Sequence, residues 1–202
     1  MRVLLSLTSL CLICFSCSVG RKIEVTDKQP ILLNATPVFR GSTSEAVFRV
    51  SIDLYSHYYS GIFVIKKESG EKYRLVLMSE VGMTLLDMDF SSENYHVNYC
   101  IKPLQKKSLL KLLVKDFLLL TTTPGNEKVL SVKKVGENQY LIKNNSGRNY
   151  YFFENEGLVK IISNSLINRT LVQFAELNSG ISNSIQINHS PVKLKMLLKR
   201  IN

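Results

Sequence analysis

The chain has 202 residues, 45% of them hydrophobic, and carries 26 basic against 16 acidic residues for a net charge of +10. That length supplies one domain with a sizeable core that needs no covalent staples. No internal repeat, low-complexity tract or composition break divides it, which argues against a second domain.

Met1-Arg2 is followed by Val3 to Phe15, a stretch whose only polar residues are Ser6, Thr8 and Ser9. A basic start and a compact apolar run form the pattern of a secretory signal. The run is shorter than the roughly 20 apolar residues that a bilayer requires. The segment Leu12-Ile13-Cys14-Phe15-Ser16-Cys17 resembles a bacterial lipobox, with Ser16 as the small residue ahead of the modified cysteine. Cys17 is therefore the expected lipidation site. The expected organisation is a signal peptide over 1–16, a lipidated tether over 17–40 and one domain over 41–202. The alternative is an ordinary secreted protein cut near Ser16 or Ser18.

Cleavage removes Cys11 and Cys14, lipidation occupies Cys17, and Cys100 is left alone. A lone cysteine excludes an internal disulfide framework and a Cys-x-x-Cys metal or redox pair. Only Arg2 of the charged residues leaves with the signal, so the mature chain stays strongly basic. Export argues against a nucleic-acid partner. Two readings of the charge remain: attraction to anionic lipid headgroups, or a solvated basic surface without a partner.

After the Pro30 and Pro37 arm, apolar residues Ala46, Phe48, Val50, Ile52 and Leu54 alternate with Val47, Arg49, Ser51 and Asp53. That period of two predicts a strand with one buried face. Further strands are expected over 62–67, 73–78, 84–90 and 95–101, joined by short turns such as Ser69-Gly70 and Ser79 to Gly82. The period then changes. From Leu104 to Leu120, residues Leu109, Leu112, Leu113, Phe117 and Leu120 fall at helical spacing, with Lys107, Lys111 and Lys115 on another face. Thr121 to Gly125 ends this helix. Strands resume over 129–134, 139–143, 149–154, 158–163, 169–177, 184–188 and 192–198, with Asn144 to Gly147 as a turn. The expectation is about ten or eleven strands and one main helix.

Antiparallel strands with one apolar face need a cover, and a helix apolar over more than one stripe needs burial. The fold class that meets both demands is mainly β (α+β): a curved antiparallel sheet, a half-open β-barrel, with the helix across its concave face. Phe48, Val50 and Ile52 share one strand face, and Leu86, Met88 and Phe90 share another. They are the candidate lining of an acyl-chain cavity, and equally what any filled β core requires. The helix from Lys106 could instead lie on a membrane surface, but strands on both sides favour the role of a cover.

Little in the chain points to catalysis. Asp87 and Asp89 share a strand face about 6.6 Å apart, which suits a carboxylate pair, but nothing else completes a site. His57, His96 and His189 are scattered, and His96 and Cys100 are about 13 Å apart along one strand, too far to share a metal. No phosphate loop, HExxH or nucleophile elbow occurs. Neither an enzyme nor a cofactor or metal is expected, and Tyr150 to Phe153 reads as a buried aromatic strand.

The stretch Lys72-Tyr73-Arg74-Leu75-Val76-Leu77-Met78-Ser79-Glu80-Val81-Gly82-Met83-Thr84-Leu85-Leu86 resembles the lipoprotein-carrier family of LolA and LolB, in which two strands flank a loop ending in an apolar residue and Gly. Ser60 to Ile65 is similar to the preceding strand of that family, and Ile185 to Asn188 with Val192 to Leu198 to its closing pair. The resemblance implies a half-open barrel with a lid helix and an apolar cavity for acyl chains. It also implies that Val81, just before Gly82, is the protruding membrane-insertion residue. Two functional readings follow. One is an envelope lipoprotein, expected at the outer membrane, that binds an acyl chain or a lipoprotein and passes it between membranes. The other is an interaction or scaffolding lipoprotein with a filled core.

Overall fold

The computed structural model describes residues 38–39, 43–122, 129–136, 139–144, 147–154, 157–165, 168–178 and 181–201. The expected signal peptide and Cys17 lie outside the described residues. Five strands come first: β1 (Glu45–Leu54), β2 (His57–Lys67), β3 (Tyr73–Ser79), β4 (Thr84–Phe90) and β5 (Tyr95–Cys100). A 3-10 turn at Lys102–Leu104 leads into α1 (Lys107–Thr121). Seven strands follow: β6 (Val129–Gly136), β7 (Gln139–Asn144), β8 (Gly147–Glu154), β9 (Gly157–Asn164), β10 (Arg169–Asn178), β11 (Ile181–Ser190) and β12 (Leu194–Arg200).

All twelve strands belong to one sheet in the order β5-β4-β3-β2-β1-β12-β11-β10-β9-β8-β7-β6. Every neighbour is antiparallel, as the short connections predict. First and last strands meet at the centre, where Val50 lies opposite Leu198 and Ile52 opposite Met196. Among the described strands β5 and β6 are the two edges and do not pair. The sheet is therefore an open, curved half barrel, as the sequence pattern predicts.

Strict alternation makes β1 a strand. Phe48 and Val50 are 1% exposed, while Arg49 between them faces solvent. The pairing registers shift at Leu77/Met78, Asp87/Met88 and Phe152/Phe153, and such irregularities bend and twist a strand. Gly61 of β2 lies beside the first of these. A Cβ there would stand 1.8 Å from the Met78 carbonyl oxygen, so only glycine permits so close an approach. The twelve strands fall on the twelve predicted stretches, one or two above the expected ten or eleven, and polar ends lengthen several of them. β2 begins at His57, five residues before its apolar run, and pairs fully with β1.

α1 begins after Lys106 rather than at Leu104, because Pro103 sits in the preceding 3-10 turn. Its buried residues include Leu109, Leu110, Leu112, Leu113, Val114, Phe117 and Leu120. Phe117 packs at ring-centroid distances of 5.3 Å from Phe63 on β2 and 6.1 Å from Phe90 on β4. On the opposite flank Asp116 bonds to His189 on β11. The helix thus crosses the concave face and closes the core. Packing starts before residue 41: Val38 is 1% exposed, Phe39 stacks on Tyr73, and the Arg200 guanidinium donates to the Val38 carbonyl.

Candidate apolar site beneath the helix

Between α1 and the sheet lies a wholly apolar cavity of about 20 Å³. Ile52, Phe63, Leu75, Leu86 and Met196 form its sheet side, and Leu109, Leu113 and Phe117 its helix side. Such a volume holds about one water-sized body and offers it no polar partner. The seam itself is nearly filled.

All six sequence-predicted lining residues point inward and are buried. Only Ile52 and Leu86 reach the cavity. Phe90 is one row away, stacked on Tyr73 at 5.4 Å. Phe48 packs edge-on against Phe63 at 6.2 Å, and the Arg200 guanidinium lies 4.7 Å from its ring centre. Met88 and Val50, at 0% and 1% exposed, fill the core. Periodicity finds the face of a strand but not which residues on that face lie under the helix.

The other flank of α1 is held differently. Asp116, 0% exposed, meets His189 Nε2 at 2.8 Å through its Oδ2, and His189 Nδ1 lies 3.2 Å from the Thr170 hydroxyl. Burial pushes the Asp116 carboxyl above its ordinary range, and the imidazole bond only partly opposes this. Both side chains of the Asp116–His189 pair are fully buried. The Asp116 Oδ1 has no hydrogen-bond partner. Sequence reasoning missed this trio. The available signal was Asp116 itself, an acid three and four residues from Leu113 and Leu112 on the buried helix face.

The remaining candidates are at the surface. Val81 is 86% exposed and Met83 62%, on the turn between β3 and β4, where Gly82 takes φ +82°. The Ser79 hydroxyl accepts from the Met83 amide at 3.1 Å and braces this turn. Asp87 and Asp89 do share a face, but the Asn98 amide donates to both, at 3.2 and 2.9 Å, and Arg74 forks onto Asp87. The Arg74 hydrogen bond pulls the Asp87 carboxyl below its usual range, so this is a structural network. Burial raises the Cys100 thiol and makes it less reactive. Among the described residues no three metal-ligating side chains converge. In the aromatic run, Tyr151 and Phe153 are buried, and the Lys160 ammonium sits 4.1 Å over Phe152.

No family model matches the chain. No curated protein matches it in sequence either. Solved structures do. A LolA superfamily protein from Nitrosomonas europaea is similar over 89% of this chain and 93% of its own, with a TM-score of 0.56 at 8% identity. A DUF1329 family protein from Desulfovibrio piger is similar over 80% of this chain and 85% of its own, with a TM-score of 0.46 at 10% identity. The chain has a LolA-like fold, in agreement with the resemblance carried by its β3–β4 sequence.

Proposed function

We propose that this chain is a non-enzymatic carrier of acyl chains, anchored to the cell envelope through Cys17, that binds its ligand between α1 and the concave sheet. The observation that carries the reading is the wholly apolar seam beneath the helix. Its 20 Å³ cannot admit a chain until α1 moves. The seven buried apolar side chains of α1 hold the helix down by roughly 10–20 kcal/mol at about 1.5–3 kcal/mol each. An acyl chain of about sixteen carbons returns roughly 12 kcal/mol at ~0.8 kcal/mol per CH₂. Ligand and helix are therefore matched competitors for one surface, and the helix keeps part of its contacts while it yields.

Native mass spectrometry of the full chain purified from cell membranes tests this. The expected result is an acyl mass that disappears under denaturing conditions, which separates it from the covalent anchor. Leu86→Phe, which fills the small cavity, lowers that occupancy in a folded protein. An apoprotein that also takes up no fluorescent fatty acid overturns the proposal. That outcome supports the scaffolding reading, which the nearly filled seam and the exposed Val81 and Met83 favour.

A further inference from the structure

On the side of α1 away from the apolar seam, an open groove of about 660 Å³ runs between the helix and strands β8 to β10. The helix contributes two exposed cations four residues apart, Lys111 and Lys115, and two half-buried apolar side chains, Leu118 and Leu119. The sheet wall contributes Asn149, Ser163 and Thr170. Glu93, in the turn after β4, is the one acid on the lining among the described residues.

Asn149 is 4% exposed, and its carboxamide oxygen has no hydrogen-bond partner. A buried acceptor left unmet is costly, and such groups in native proteins call for an explanation. A donor delivered by a ligand supplies one. An ionised phosphate offers only acceptors and cannot satisfy that oxygen alone. The groove therefore asks for three features in one molecule: an anion for the lysines, a hydroxyl or ammonium donor for Asn149, and hydrocarbon for Leu118 and Leu119. We propose that this groove is the headgroup site for a phosphate-bearing glycerolipid, an assignment that rests on the carrier reading and names its substrate class. The phosphate pairs with Lys111 and Lys115, a headgroup hydroxyl donates to the Asn149 carboxamide oxygen, and the first carbons of the chain lie on Leu118 and Leu119.

The test uses the full chain with three dissolved probes: lysophosphatidylglycerol, a monoacylglycerol of the same acyl length, and inorganic phosphate. Below their micellar concentrations, lysophosphatidylglycerol is expected to bind at least tenfold tighter than the neutral monoacylglycerol. Lys111→Gln with Lys115→Gln brings the two to equal affinity, and monoacylglycerol binding stays unchanged. Asn149→Leu weakens lysophosphatidylglycerol several-fold yet melts higher than the parent, because the unmet acceptor is gone; a purely structural asparagine predicts no such opposition. Equal affinity of both amphiphiles in the parent overturns the headgroup site and leaves the carrier reading standing. Phosphate that displaces the lipid at comparable concentration overturns it in favour of a bare anion site. Binding confined to phosphatidylglycerol vesicles, with none to the dissolved lipid, overturns it in favour of a membrane-facing patch. If neither amphiphile binds, the carrier reading fails and the headgroup site with it.

Discussion

The two walls that face α1 are built from different chemistry. The wall from β1 to β4 sets Ile52, Phe63, Leu75 and Leu86 against Leu109, Leu113 and Phe117, and its polar contact is at the helix end, where the Tyr73 hydroxyl donates to the Thr121 carbonyl at 3.2 Å. The wall from β8 to β11 bonds to the same helix through His189 and faces it across an open groove with Asn149 and Thr170. Hydrophobic contact is non-directional, so the first wall tolerates sliding and exchange for other hydrocarbon. A hydrogen-bonded buried pair is directional and fails when either partner shifts. One side of the helix is thus suited to yield and the other to act as its pivot.

Removing hydrocarbon from the first wall gives the largest expected effect. Phe117→Ala deletes the ring that touches both Phe63 and Phe90 and should cost about 4 kcal/mol in urea unfolding. A loss below about 1 kcal/mol would show that this wall does not hold the helix. On the second wall, His189→Leu leaves the Asp116 carboxyl buried without its partner, at an expected cost of about 3 kcal/mol. Asp116→Leu combined with His189→Leu should recover most of that, since no buried polar group is then left unpaired. A double variant no more stable than the single one would contradict the pivot assignment.

The pH dependence sharpens the contrast further. Burial raises the native Asp116 carboxyl above its ordinary value of 3.8, so the native state holds a proton that the unfolded chain has already released. This group's contribution is complete below the unfolded value and is lost as pH rises through the raised native value. Asp116→Asn should remove that decline from a plot of unfolding midpoint against pH. Asp87 has the opposite sign. The Arg74 hydrogen bond depresses it, so its contribution is present at neutral pH and lost as pH falls through the depressed native value. Arg74→Gln should soften only that acid limb. This is the smallest effect, and added salt should reduce it further, because the Arg74 side chain is 48% exposed.

The sheet and its cover were legible in the sequence because they rest on local periodicity. The alternation from Ala46 to Leu54 marks β1, and the helical spacing from Leu109 to Leu120 marks α1. The His57 to Ser60 stretch was not legible, because both its faces are polar or aromatic and only pairing with β1 makes it strand. The pivot was illegible for a different reason. Asp116 and His189 are 73 residues apart, and only the curl of the sheet brings β11 to the helix. Asn149 reads in sequence as an ordinary residue near a turn. Its burial is a property of the folded sheet, which no local pattern records.

The pairing of β1 with β12 governs when the molecule can be finished. A chain made or delivered from its N-terminus can form the β1–β5 hairpins early, since each strand's partner is its neighbour in sequence. The central pairing of Val50 with Leu198 must wait for the last seven-residue strand. Until then β1 and β11 each present an unpaired apolar edge, the kind that recruits other chains. A chain stopped at residue 193 would keep eleven strands and still lose the middle of its sheet. Solubility during assembly is thus set at Leu194–Arg200, the same strand that supplies Leu194 and Met196 to the apolar seam.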